Sequence, residues 1–166
     1  MKFSISILCL NNLALTKRCL DSIFAAGSGK DEDELLIHDN GSNDGTWAYL
    51  SEIAKRPHVR VTRSDKNLGF IKPNLAHLEA ATGEYFVLLN NDATVPPGWL
   101  EALAKPFKIF AKAALSGPEA GCSELLPNFH GTTGKREYLE GSCLCCKTSI
   151  MREHGLFSPN LVGAYG

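Results

Sequence analysis

The chain has 166 residues, of which 44% are hydrophobic and 21% charged, and its 17 basic and 18 acidic side chains leave a net charge of −1. This size supports one domain with a real core rather than two, and the composition excludes disorder and fibrous repeats. No basic stripe is present to neutralise successive phosphates, so nucleic acid is not an expected partner, and no apolar run reaches the roughly 18 residues of a membrane span.

Taken in order, Ser4 to Leu10 is an Ile- and Leu-rich run that predicts a strand buried on both faces. Leu15, Cys19, Leu20, Ile23 and Phe24 follow with helical period, and Gly27 and Gly29 mark the end of that helix. Asp31 to Glu34 reads as a solvated acidic loop, and Leu35 to Ile37 as a second strand. After the turn-rich segment Asp39 to Gly45, Trp47, Leu50, Ile53 and Ala54 define a second helix closed by Pro57. Val59 and Val61 alternate with Arg60 and Arg63 in a third strand, and Leu75, Leu78 and Ala81 predict the buried side of a third helix.

Tyr85 to Leu89 is the most apolar strand and ends at Asn90, Asn91 and Asp92. Pro96 and Pro97 are expected to open a helix whose apolar face is Trp99, Leu100 and Leu103. Ala113 to Leu115 is a weak strand, residues 117–135 form a long connection, and Leu139 to Cys146 resumes strand character before a short helix ending near Gly155. Strands alternating with helices predict an α/β fold, a mainly parallel sheet between helical layers with ligands beyond the carboxyl ends of its strands. There is no internal repeat.

Three loops that follow strands carry the chemistry: Asn11-Asn12, Asp39 through Thr46, and Asn90-Asn91-Asp92. Carboxylates gathered on one sheet edge require a cation or a set of donors, and a nucleotide diphosphate with a divalent ion meets that need. Asp44 before Gly45 is better explained as a helix-entry residue. A calcium loop counted from Asp39 fails, with Gly41 at position 3, Asp44 where glycine is needed and Leu50 where glutamate is needed. The first strand is followed by no glycine-rich phosphate loop and no GxGxxG, which argues against a nucleotidyltransferase and a dinucleotide oxidoreductase.

Four segments, Asp39-Asn40-Gly41-Ser42-Asn43-Asp44-Gly45-Thr46, Asn67-Leu68-Gly69-Phe70, Gly83-Glu84-Tyr85 and Leu89-Asn90-Asn91-Asp92 through Pro97-Gly98-Trp99-Leu100, resemble glycosyltransferase family 2 in order and spacing. The resemblance spans essentially the whole chain and implies a GT-A fold. It implies a single domain over residues 1–166 that binds a UDP- or dTDP-linked sugar with Mg²⁺ or Mn²⁺, and transfer with inversion to the hydroxyl of a saccharide or lipid-linked acceptor in cell-surface polysaccharide or glycan synthesis. Residues implied at the nucleotide are Leu10, Asn12, Asp39, Asn40, Asn67, Lys72 and Asn91, with Asp39 accepting from the base; Lys66 is a further candidate near the phosphates. Asn90 and Asp92 stand at the metal-binding acidic motif, where Asn90 replaces a carboxylate by an amide and weakens the isolated metal site. Ala76 stands where many relatives have glycine, either crowding the floor of the site or neutral.

The resemblance places the catalytic base in an acidic motif after a segment like Gly155-Leu156-Phe157 through Gly166, so the base is expected after Gly166, the domain is expected to be incomplete at its C-terminus, and neither Glu140 nor Glu153 matches the motif. On that basis the 166 residues are expected to bind a nucleotide weakly and to transfer no sugar. A non-catalytic binding or interaction module derived from the fold is the alternative. Cys143, Cys145 and Cys146 could form a zinc site only with Cys122 and His130, but paired zinc spacing is lacking and the Cys143–Cys146 cluster is expected in a small-residue core strand. Without a signal core, the cysteines are expected to stay reduced and the location to be cytoplasmic, with a peripheral position at the inner face of the membrane open to the full-length protein.

Overall fold

A computed structural model describes residues 1–28, 33–110, 113–118 and 141–155. The elements run β1 (Phe3–Cys9), α1 (Leu13–Ala25), β2 (Glu34–Asp39), α2 (Thr46–Ile53), β3 (Val59–Arg63), α3 (Ile71–Ala80), β4 (Tyr85–Asn90), α4 (Trp99–Ile109), β5 (Leu115–Ser116), β6 (Cys143–Lys147) and α5 (Thr148–His154). Six strands form one sheet in the order β3-β2-β1-β4-β6-β5. The first four are parallel, and β6 runs antiparallel to both β4 and β5. The chain builds outward from β1 to β3, then crosses back to place β4 on the other side of β1. That reversal makes β1/β4 the topological switch point, where open α/β sheets leave a crevice at the strands' carboxyl ends.

Alternation along the strands divides the core. Ile5, Ile7, Leu35, Ile37, Val87 and Leu89 face the layer containing α1, α2 and α4, with Leu20, Leu50 and Trp99 fully or almost fully buried. The opposite face is smaller and joins Leu36, Phe86 and Leu88 to Leu78 of α3 and Met151 of α5. Reversing direction across the sheet while keeping a right-handed crossover requires α3 to lie on that second face.

The second face is also where the sequence reading needs correction. Leu75, expected to be buried, is 40% exposed, and the inward stripe of α3 is Asn74, His77 and Leu78. The sheet opposite it is polar: Ser6 Oγ lies 2.6 Å from Asn74 Oδ1 and 2.7 Å from His77 Nδ1. With one hydroxyl proton donated to the amide oxygen, Ser6 accepts from His77 only if the ring carries its proton on Nδ1. Ala76 is exposed on α3 and crowds nothing.

The acidic run is a second correction. Asp33 accepts a hydrogen bond from Phe3 N at 3.0 Å, and Glu34 opens β2 as a buried residue; Asp31 and Glu32 lie outside the described residues. Periodicity cannot show this, because a carboxylate at the start of a strand looks like the end of a loop until its donors are known. The proline pair is a third. Pro96 and Pro97 precede α4, which starts at Trp99 after Gly98 at φ 77°, while Pro106 lies inside the helix.

In β6 the pleat sets Cys143 and Cys145 against the larger core and Cys146 against the smaller one. The three thiols therefore do not converge, and among the described residues no group of three metal-ligating side chains forms. Burial pushes the Cys145 thiol up to about 12. Cys122 and His130 lie outside the described residues, as do Glu140 and most of the 117–135 connection. Among the described residues no helix is long and apolar enough to cross a membrane.

Candidate nucleotide-binding site

Register brings the polar loops together. Cys9 pairs with Asp39 across β1 and β2, and Leu8 pairs with Asn90 across β1 and β4. Asp39 and Asn90 therefore end two strands on the same edge, about 10 Å apart at two inter-strand spacings, with the β1–α1 loop between them.

Asp39 is fully buried. Its Oδ1 accepts from Ser42 N at 3.1 Å and from the Ser42 hydroxyl. Its Oδ2 lies 3.3 Å from Arg63 Nε, but the N–H is out of line, and among the described residues Oδ2 is the buried side-chain polar atom left without a hydrogen bond. Buried polar atoms are nearly always satisfied, so such an atom at the carboxyl ends of the strands marks a candidate place for a ligand donor.

The loops around it are sewn to one another. Ser42 Oγ accepts from Asn11 N at 2.7 Å, and Asn11 Oδ1 accepts from Asn43 N at 2.9 Å. Asn11 and Asn12 sit at φ 54° and 59°, in the left-handed region that asparagine tolerates better than most residues. Asp44 accepts from Thr46 Oγ1 at 2.6 Å, Thr46 N at 3.1 Å and Leu13 N at 3.0 Å, so one carboxylate serves the starts of α1 and α2. Those bonds, led by the Thr46 hydroxyl, hold it below the usual carboxylate range. Gly41, at φ 88°, lets the loop pass the backbone of Asp65 and Lys66, where an added Cβ would sit 3.2 Å away.

Asn40 spends its amide on the third loop, donating to Gly69 O at 3.2 Å and accepting from Leu68 N at 3.1 Å. Asn67 Oδ1 accepts from Gly69 N at 2.8 Å, which closes a local turn. Asn91 Nδ2 donates to Thr16 Oγ1 at 2.9 Å and ties the β4 loop to α1. The amides of Asn40, Asn67 and Asn91 thus hold loops in place. Leu10, Asn12, Lys66, Lys72 and Asp92 are exposed at this edge, and Asn90 is half-buried. Asp92 lies close enough to Cys19 that its charge, after burial, helps push that thiol up to about 12.

Asp92 and Asn90 offer one charged and one neutral oxygen. That is too few for a protein-only cage and suits a Mg²⁺- or Mn²⁺-type ion that keeps phosphate and water ligands. Glu153 is remote from this edge. Because β6 runs antiparallel, α5 starts at the amino ends of the parallel strands, where Thr148 N donates to Glu84 O at 2.9 Å.

Ser42 and Arg63 are the site residues that the sequence reading missed. Ser42 is inside a recognised loop, but Arg63 resembles any alternating surface charge until the register pairs it with Asp39.

Similar proteins share this architecture. The S. aureus TarS 1-349 structure superposes with a TM-score of 0.69 at 17% identity, covering 96% of this chain and 50% of that one. The mannosyltransferase PcManGT from Pyrobaculum calidifontis, solved with GDP-Man and Mn2+, gives 0.72 at 18%, covering 94% and 47%. An uncharacterized glycosyltransferase of Haemophilus influenzae is 31% identical over 71 residues, 42% of this chain and 22% of the relative. A dolichol-phosphate mannosyltransferase of Pyrococcus furiosus is 28% identical over 75 residues, 45% and 21%. The chain therefore spans only part of each of these proteins. Residues 4–152 match the sequence model described as Glycosyl transferase family 2, which covers most of the chain, and the chain belongs to that family.

Proposed function

We propose that this chain holds the nucleotide diphosphate of a sugar donor for a transferase that moves the sugar to an acceptor hydroxyl with inversion. Asp39 Oδ2 carries the reading: a buried acceptor one strand from the switch point, with no hydrogen bond from the described residues, matches the N3–H of uracil or thymine. Cytosine presents an acceptor at that position and would be repelled. Leu10 and Asn12 flank the base and ribose, and Lys66 and Lys72 stand by the third loop for the phosphates. Asn40, Asn67 and Asn91 act by keeping the loops around the nucleotide in register.

Asp92 and Asn90 would hold one Mg²⁺ or Mn²⁺ with the diphosphate completing its shell. When bound, that ion neutralises charge developing on the departing diphosphate. The acceptor is a saccharide or a lipid-linked sugar in surface glycan synthesis, and its deprotonation falls to a carboxylate that the described site does not contain. Support for the family of reactions comes from the relatives named as transferases and from structures of similar fold solved with UDP-GlcNAc and with GDP-Man and Mn2+.

The neutral amide of Asn90 favours one competing reading, a binding module that has shed the chemistry. Calorimetry with UDP, dTDP, GDP and CDP, each with and without Mn²⁺, separates the two. Binding of UDP or dTDP that Mn²⁺ strengthens, with CDP rejected, is expected; binding of none of them would remove the donor-site reading.

A further inference from the structure

We propose that Arg63 is the positioning residue of Asp39: it fixes the plane of the carboxylate while leaving Oδ2 free to read the base. The inference rests on the donor-site reading above and assigns a specificity role within it.

Three contacts hold the guanidinium, although the side chain is 34% exposed. Its Nε lies 3.3 Å from Asp39 Oδ2, its Nη2 donates to Ser42 O at 3.0 Å, and its centre stands 5.1 Å from the centroid of the Trp47 ring. An arginine suits this arrangement because its planar fork stacks on an aromatic face and aims several donors at once, which a lysine ammonium does not. Ser42 completes the ring of contacts from the other side. Its N–H and hydroxyl occupy Asp39 Oδ1, and its carbonyl is held by Arg63. The carboxylate is therefore gripped at both oxygens, directly by Ser42 and electrostatically by Arg63.

The consequence lies in the misalignment at Oδ2. Arg63 supplies the opposite charge that a fully buried carboxylate needs, yet its N–H does not take the lone pair. Rotating the carboxylate would exchange Ser42's two bonds for the arginine and leave the ligand nothing to pair with. Arg63 stands in register with Asp39 on the neighbouring strand, so the ladder holds its backbone opposite the residue it positions.

The test is a double-mutant cycle on the full 166-residue chain, read by calorimetry as the ratio of UDP to CDP affinity. Arg63→Ala is expected to lower UDP affinity roughly tenfold while CDP affinity stays put, and to have no further effect in an Asp39→Ala background. Arg63→Lys keeps the charge and recovers only part of the ratio. It is also the deciding variant if Arg63→Ala does not fold. Equal losses for UDP and CDP, an Arg63→Ala effect that persists without Asp39, or a full wild-type ratio in Arg63→Lys would each overturn the proposal. If the wild-type chain discriminates UDP from CDP and the Arg63 variants do so equally, this inference alone falls. If the wild-type chain binds no nucleotide, the donor-site reading falls and takes the inference with it.

Discussion

Strand β2 begins and ends with a buried acid, and the two are treated in opposite ways. At its amino end, Glu34 Oε1 accepts from Ser4 Oγ at 2.6 Å, Thr82 N at 2.6 Å and Thr82 Oγ1 at 2.8 Å, while Oε2 is bonded by Arg60. Every acceptor is used, and Arg60 goes on to hold Ala80 O at 3.0 Å. At the carboxyl end, Asp39 has an arginine from the same neighbouring strand, yet Oδ2 keeps no hydrogen bond. Two acids on the same strand, both buried and with the same kind of partner, differ in whether the described residues complete them. Completion marks a structural group; the missing bond marks a group held for something else.

The strongest way to break this comparison is to remove each acid in turn. Glu34→Ala strands the buried Ser4 hydroxyl and the Thr82 N–H and releases Arg60, so unfolding free energy should fall by about 4 kcal/mol. Nucleotide binding by the folded fraction should be unchanged. Asp39→Ala should cost less, about 2 kcal/mol of stability, since it strands the buried Ser42 N–H but also relieves an unsatisfied buried atom, and it should abolish preference for UDP over CDP. Denaturant melts and calorimetry on the same samples check both. A large stability loss at Asp39 with base preference retained would reverse the assignment.

Acid titration sharpens the contrast by adding the histidines beneath the sheet. Burial, with smaller contributions from His38 and Arg60, pushes His77 down to about 4 from an ordinary value of 6.5. His38 is lowered as well, by burial, with Asp39 partly opposing. Between pH 6.5 and 4 the unfolded chain binds more protons than the folded one, so stability falls as pH drops, by about 3 kcal/mol for His77 at pH 4. Glu34 acts in a lower window. Burial alone would raise it, but bonds from Ser4, Thr82 and Arg60 outweigh burial and lower it from 4.5, so its contribution is lost only below that value. Melts across pH should therefore show the upper loss shrink to the part His38 contributes in His77→Gln, which keeps a polar partner for Ser6, and persist in full in Glu34→Ala.

Much of this was legible in the sequence because it depends on local pattern. The period of the apolar residues located the long strands and helices, and the motifs placed Asp39, Asn90 and Asp92 at strand ends. Gly83 was legible as a motif without its reason: an added Cβ would lie 2.6 Å from Ser4 N, where β1 and β4 meet. The missing information was what one segment presents to another. Glu34 looked solvated because its donors come from Ser4 and Thr82, and Arg63 looked like a surface charge because its partner is one strand away. Leu75 departs from its periodic expectation for the same reason, since the face that α3 covers carries Ser6 and His38 where a purely apolar sheet would take the leucine.

The smallest expected effect concerns a third acid that the chain does not have. Asn90 ends β4 with its backbone fully used, N donating to Ser142 O at 2.9 Å and the carbonyl accepting from Ala93 N at 3.2 Å, so changing its side chain leaves the strand end intact. Asn90→Asp sets a second carboxylate beside Asp92 with no basic partner placed between them by the described residues. Without metal, like-charge repulsion at this half-exposed edge should lower stability by roughly 0.5 kcal/mol, and salt should mask the loss. With Mn²⁺ and UDP the sign should reverse, because the cation gains a charged ligand; metal-dependent UDP affinity should rise a few-fold while metal-free affinity does not. If the variant gained UDP affinity without Mn²⁺, the edge would be reading the nucleotide through hydrogen bonds alone, and Asp92 would belong with Glu34 among the structural acids rather than with Asp39.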